Sequence, residues 1–344
     1  MNIFIRRYPL VGILVFLGTL LHTPVEANPI IAPEIAKSSV AFSIKALKSN
    51  PKEIKTLPST GLFTLLNAVS LAARGKTAIV LENELTIQSI SPTLFYEQST
   101  LFYETLRTLH SPAMSSKTQL WVNAALHPRN EWVIQAKKFT NLDLIISTSP
   151  ELSMSLPPKP HIAGFADIAI QFQPAIRFEQ DPRPQYRSYR QVNATFLTVK
   201  GNGFTAVAVP FQDQRLMAYF FLPDKSLTAF FTSLSAKSWE RWMILMKPKQ
   251  ITLSLPNFSV TESGLFLHSE DNNLVGISHE ARTMTFAYRS QLSWDPNIPL
   301  SLQPPSTKGP RITFNRPFFF VIQDLRTGAW LLSGTLTGGT QLEK

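Results

Sequence analysis

The side chains that could do chemistry are few in this chain and badly spaced for it. Six histidines (His22, His110, His127, His161, His268 and His279) include no pair four residues apart and no His-Glu-x-x-His run that could hold a metal from one helix face. His268 with Glu270 and Asp271 brings three metal-ligating side chains close in sequence. Adjacent polar residues of that kind are the ordinary content of a turn, so no metal is assigned. Glu82 and Glu84 stand two apart on what reads as a strand-like or loop segment, and nothing pairs them for acid–base work. No G-x-S-x-G elbow is present, and Gly201-Asn202-Gly203 reads as a hairpin turn rather than a phosphate cradle. The 344 residues contain no cysteine, which excludes thiolate nucleophiles and thiolate zinc sites. The expectation is a protein that is not an enzyme and carries no cofactor.

The elements that would position any functional group begin after an export signal. Arg6 and Arg7 form a charged start, residues 10–21 an apolar stretch, and Val25-Glu26-Ala27 a cleavage site of small-x-small type. Cleavage after Ala27 leaves a single domain over 28–344, secreted or periplasmic, with no further segment expected to cross a membrane. An exported chain without disulfides must be held by its core, and 44% hydrophobic residues can supply one. The formal charge is +10, and loss of the signal leaves it strongly basic. This favours acidic proteins or polyanions as partners. The densest basic groups, Lys137-Lys138 and Arg183, Arg187 and Arg190, read as solvated faces, and no aromatic-interleaved basic patch argues for nucleic acid. Asn193-Ala194-Thr195 and Asn257-Phe258-Ser259 fit the glycosylation pattern, which matters only in a eukaryotic secretory host.

Apolar spacing predicts helices over 40–47 and 62–73, the second apolar almost all round and therefore internal, closed by Gly75. Further helices are expected over 94–109 and 130–139. Strands are expected at 120–126, 142–146 and 168–172, two within 195–211, and others at 216–222, 251–260 and 284–292, with a short element at 275–278. The Pro- and Ser-rich stretch 149–160 is loop. The chain closes on a hairpin. Phe318 to Ile322 is an unbroken run of aromatic and β-branched residues, too short for a helix. Asp324 to Gly328 turns, and Ala329 to Leu332 returns. Pro317 precedes the first strand, where a missing N–H costs least.

The hairpin string, Phe314-Asn315-Arg316-Pro317-Phe318 with Asp324, Thr327-Gly328 and Gly334, resembles the C-terminal signature of the serpins. Weaker matches run in the same order along the chain. They are a first helix near Phe42, Ala73-Arg74-Gly75-Lys76-Thr77, Leu222-Pro223-Asp224, Leu255-Pro256-Asn257-Phe258 and Gly276-Ile277-Ser278. The chain is identified on these grounds as a divergent, exported member of prokaryotic type. The resemblance implies an α+β serpin-like fold with a large central mixed sheet, additional sheets and packed helices, here with reduced helix content, acting as a monomer.

The family activity implied is inhibition of serine or cysteine proteases through an exposed loop. After cleavage, part of that loop inserts as a new strand of the large sheet. The corresponding loop here is about 295–313, and its protease-contact residues would be Gln303, Pro304, Pro305, Ser306, Thr307 and Lys308. Ser306 lies near the scissile position, and Lys308 would suit a trypsin-like enzyme. The same loop argues against insertion. Pro296, Pro299, Pro304, Pro305 and Pro310 each lack the N–H a central strand must donate, and no run of alanines is present. The loop is also short. The polar cluster that holds the family's sheet closed maps onto Gly61, Phe63, Ile168 and Arg289, where the usual Ser, Asn and His are missing. One helix over the sheet face (149–160) and another between Val260 and Leu274 are expected to be absent. The alternative is a non-inhibitory serpin-fold protein that binds a partner or a small apolar ligand.

Overall fold

The computed structural model describes residues 30–49, 55–149, 161–180, 189–294 and 309–336. The loop stretch 150–160 and the bait segment 295–308 lie outside these residues.

The apolar stretch around Phe63 forms α2 (Ser59–Ser70), buried from Leu62 to Val69. A helix with no polar face needs cover on all sides, and the rest of the molecule provides it. It lies against a five-stranded sheet at two close approaches. A Cβ on Gly61 would fall 2.8 Å from the Ala166 Cβ, and one on Gly164 would fall within 3 Å of the Leu65 side chain. α1 (Pro33–Ser49) packs beside it, and α4 (Pro92–Arg107) and α5 (Asn130–Phe139) close the flank. The Trp132 indole of α5 donates to the Ala68 carbonyl of α2 at 3.0 Å.

The expected helices are therefore present: α5 has the forecast bounds, α1 is longer than forecast, and α2 and α4 begin and end two or three residues earlier. The segment holding Glu82 and Glu84 is a correction: it is a helix, α3 (Gly75–Leu85), not a strand or loop. Gly75 does take the left-handed conformation (φ +59°) expected after α2, but it also opens the next helix. Ile79 and Val80 of α3 are exposed while Leu81 and Leu85 are buried, so apolar residues stand on both faces and blur the helical period.

The five-stranded sheet has the order β10-β11-β4-β2-β3. Its members are β10 (Ser259–Ser269), β11 (Met284–Trp294), β4 (Ile162–Phe172), β2 (Met114–Asn123) and β3 (Asp143–Ser147). β10 pairs antiparallel with β11, and β2 with β4; the two parallel pairs are β4–β11 and β2–β3. A second, nine-stranded sheet has the order β1-β14-β13-β8-β7-β6-β9-β12, with β5 on β6. It contains β1 (Thr56–Leu57), β5 (Glu179–Gln180), β6 (Tyr189–Gly201) and β7 (Phe204–Pro210). Its other members are β8 (Leu216–Pro223), β9 (Lys247–Pro256), β12 (Arg311–Thr313), β13 (Phe318–Asp324) and β14 (Trp330–Leu336). The C-terminal hairpin is β13–β14 as its residues foretell.

One strand expectation is corrected. The run 251–260 is not one strand but the end of β9 and the start of β10, which belong to different sheets, with the chain crossing at Asn257 and Phe258. The short element at 275–278 lies in turns. Two helices had no sequence forecast, α6 (Leu227–Ser233) and α7 (Ala236–Leu245). Their rings cover the nine-stranded sheet, with Trp239 against Trp330 at 4.6 Å and Trp242 against Phe204 at 4.5 Å. No helix separates β10 from β11 over 270–283.

Candidate functional site

Gln303, Pro304, Pro305, Ser306, Thr307 and Lys308 all lie outside the described residues. Both anchors of their loop are described. On one side Trp294 ends β11, its N–H donating to the Phe258 carbonyl at 3.0 Å. On the other, Gly309 and Pro310 lead into β12. The Pro310 carbonyl accepts from Thr252 N–H at 3.0 Å, and β12 then runs parallel to β9. A Cβ at Gly309 would fall 2.4 Å from the Gln250 carbonyl oxygen, so only glycine passes there.

β11, which ends at Trp294, meets β4 along a seam. They pair in parallel along their whole length, from Met284 opposite Ile162 to Trp294 opposite Phe172. At the end next to the loop the seam is closed by rings. Trp294 lies 5.5 Å from Phe172, 5.1 Å from Phe178 and 5.7 Å from Phe258, all of them buried. Halfway along, on the outer face, Arg289 of β11 stands directly opposite Asp167 of β4. Its guanidinium donates through Nε to Oδ1 at 3.0 Å and through Nη2 to Oδ2. This bidentate geometry holds the Arg289 charge more firmly than in water, first through the hydrogen bond and then through the Asp167 charge.

The inner face is tied one residue further on. The Ser290 hydroxyl bonds to Thr56 of β1, and Ser59 at the start of α2 bonds to Ser333 of β14 at 2.8 Å. All four residues are buried. Of the expected positions, Gly61, Phe63 and Ile168 contribute no side-chain hydrogen bond to this group, and Arg289 points to the outer face. Hydroxyl pairs separated by more than 230 residues of sequence fill the position, and nothing local in the sequence marks them.

Glu262 of β10 lies opposite Ser290 on the same side. Burial raises its pKa, opposed by the Lys55 charge and by the Lys55 N–H that it accepts. Burial, and secondarily the Glu262 charge, push the Tyr288 phenol up to about 12.

The remaining candidate residues do not assemble. His268 meets the Thr285 hydroxyl at 2.9 Å and Glu270 at 3.4 Å, and no group of three metal-ligating side chains occurs among the described residues. Glu84 pairs with Lys45 at 2.9 Å, not with Glu82. Asn193 accepts from Gln250 at 2.7 Å within the sheet, and the Asn257 side-chain oxygen is buried, so neither glycosylation pattern sits on a projecting loop. One cleft of about 470 Å³ opens between α1, α3 and the end of β10. Phe42, Leu66, Leu81, Phe266 and Met284 form its apolar lining.

Residues 189–267, which run from β6 to β10, match the family model described as serpin (serine protease inhibitor). Over that stretch the chain is similar to the serpins. No curated protein matches its sequence. Solved serpin structures share its fold over nearly their full length. A tumour-suppressing serpin superposes with a TM-score of 0.74 at 16% identity, over 89% of this chain and 99% of that one. Mouse protein-Z dependent protease inhibitor gives 0.75 at 15%, over 90% and 98%. A thyroxine-binding globulin in complex with thyroxine gives 0.73 at 14%, over 88% and 98%. The β4–β11 adjacency on which a serpin reading depends is present. The expectation that a covering helix is missing at 149–160 falls almost wholly outside the described residues.

Proposed function

We propose that this serpin-like chain is exported and offers its loop, about 295–313, to a serine or cysteine protease without trapping it by strand insertion. The observation that carries this reading is the mismatch between the seam and the loop. A strand entering between β4 and β11 has eleven residue pairs to replace. The longest proline-free runs available to it, 300–303 and 306–309, are four residues each. Each proline in a strand bonded on both sides removes an N–H and clashes with the ladder. The loop is cut at or near Ser306 to Lys308 and released, so that inhibition is reversible and substrate-like. The basic charge adds an acidic partner or polyanion as a second contact, and protease nexin-1, a structural neighbour, was solved with heparin.

A second reading rests on the cleft between α1, α3 and β10, whose apolar lining and volume suit a small apolar ligand. In that case the protein is a non-inhibitory carrier on the same fold.

Incubation with trypsin-, chymotrypsin- and elastase-like proteases, followed by denaturing gels and mass spectrometry of the fragments, tests the first reading. The expected result is competitive slowing of the protease and a cut between Gln303 and Lys308, without an adduct that survives denaturation. A stable covalent adduct would refute it. Resistance of the loop to all three classes would favour the carrier.

A further inference from the structure

The cleft between α1, α3 and the end of β10 has a floor and a mouth of different chemistry. Phe42, Leu66, Leu81 and Met284 are buried and form the floor, and Phe266 of β10 stands against Phe42 at 5.9 Å as one wall. The connection from β10 to β11, which borders the cleft, contains no helix to cover it. Val80, on the α3 lip, is exposed. The volume of about 470 Å³ falls among sites that hold one small molecule, roughly 300–1,000 Å³.

Among the described residues, the charged side chains at the mouth are Lys45, Lys76, Glu84, Glu270 and Asp271. Lys45 and Glu84 neutralise each other, paired at 2.9 Å from α1 to α3. That leaves Lys76 against Glu270 and Asp271, which stand side by side just past the end of β10. Glu270 has His268 at 3.4 Å, and Asp271 enters no ion pair with a described residue. The mouth is therefore net negative in a chain whose formal charge is +10. A cation held there exchanges water for carboxylate oxygens, and an apolar body attached to it displaces water from the floor.

We infer that the cleft takes a small apolar molecule carrying one cationic amine, its apolar body on the Phe42, Leu66 and Leu81 floor and its ammonium beside Glu270 and Asp271. This rests on the reading of the cleft as a ligand site and adds which ligands the site selects. It is independent of the protease reading.

Titration calorimetry of the full chain with decylammonium, decanoate and decanol, each below its micelle concentration, tests the inference, because the three share a tail and differ only in the head. Decylammonium is expected to bind about ten-fold tighter than decanoate, although the overall charge of the protein favours the anion. The double variant Glu270→Gln, Asp271→Asn changes only exposed side chains. It should cut that preference to within about two-fold and leave decanol binding unaltered. Val80→Trp, on the exposed lip, should fill the mouth and weaken all three probes by roughly ten-fold. Equal affinity for the two ions, tighter binding of decanoate, or a preference that survives loss of both carboxylates would overturn the inference and leave the cleft as an unselective apolar site. Binding undiminished by Val80→Trp would place the tail elsewhere and overturn it too. Failure of all three probes to bind would sink the ligand-site reading itself, and the inference with it.

Discussion

Glu262 shows how single residues tune this interior. It lies on the inner side of β10 beside Ser290 and Tyr288, where burial disfavours its charge. The folded state therefore holds the proton more tightly than the unfolded chain does. That contribution favours folding at low pH and is lost as the pH rises through the ordinary carboxylate range and beyond. Glu262→Gln removes the titration while keeping an acceptor for the Lys55 N–H. The variant should melt higher than wild type at pH 7, and the gap should close below about pH 4. An equal gap at both pH values would mean that charge is not the cause. The hydroxyl pairs Thr56–Ser290 and Ser59–Ser333 are of the other kind, neutral and mutually satisfied, so they hold the sheets together without a pH term.

At the scale of elements, the C-terminal hairpin does more than close the chain. Its turn residue Asp324 is fully buried and accepts from Arg215 at 2.8 and 3.3 Å and from the Thr327 hydroxyl at 2.7 Å. Arg215 also donates to the Thr105 and Thr108 carbonyls at the end of α4, so one ion pair joins β8, the hairpin and a helix. Asp324→Ala leaves a largely buried guanidinium without its carboxylate and should cost roughly 3 kcal/mol in chemical denaturation. A loss under about 1 kcal/mol would show that the helix carbonyls alone satisfy Arg215. The Asp324-x-x-Thr327-Gly328 spacing made this turn legible beforehand, and α2 was legible because an all-apolar helix allows few alternatives. α3 was not, because Ile79 and Val80 point away from the core. α6 and α7 were missed although Ser226 and Ser235 cap them, since their aromatic faces make sense only against the sheet they cover. The Asp167–Arg289 pair was illegible for a plainer reason: 122 residues separate its members, and only the parallel register brings them opposite.

For the whole molecule, fold and mechanism separate. At 14–16% identity the serpin architecture persists through strand order and core burial, and such likeness fixes the fold alone. What the fold does next depends on whether its central seam takes a sixth strand. Here rings close the end at Trp294, an ion pair spans the middle, and residues 295–310 offer no more than four in a row without proline. The most direct measurement is the melting temperature of the intact protein against the same protein cut once within 303–308. If the sheet stays at five strands, the two should agree to within about 3 °C, because cutting an uninserted loop alters little that is buried. A rise far beyond that after cleavage would mean that the loop had entered the seam and would contradict the account.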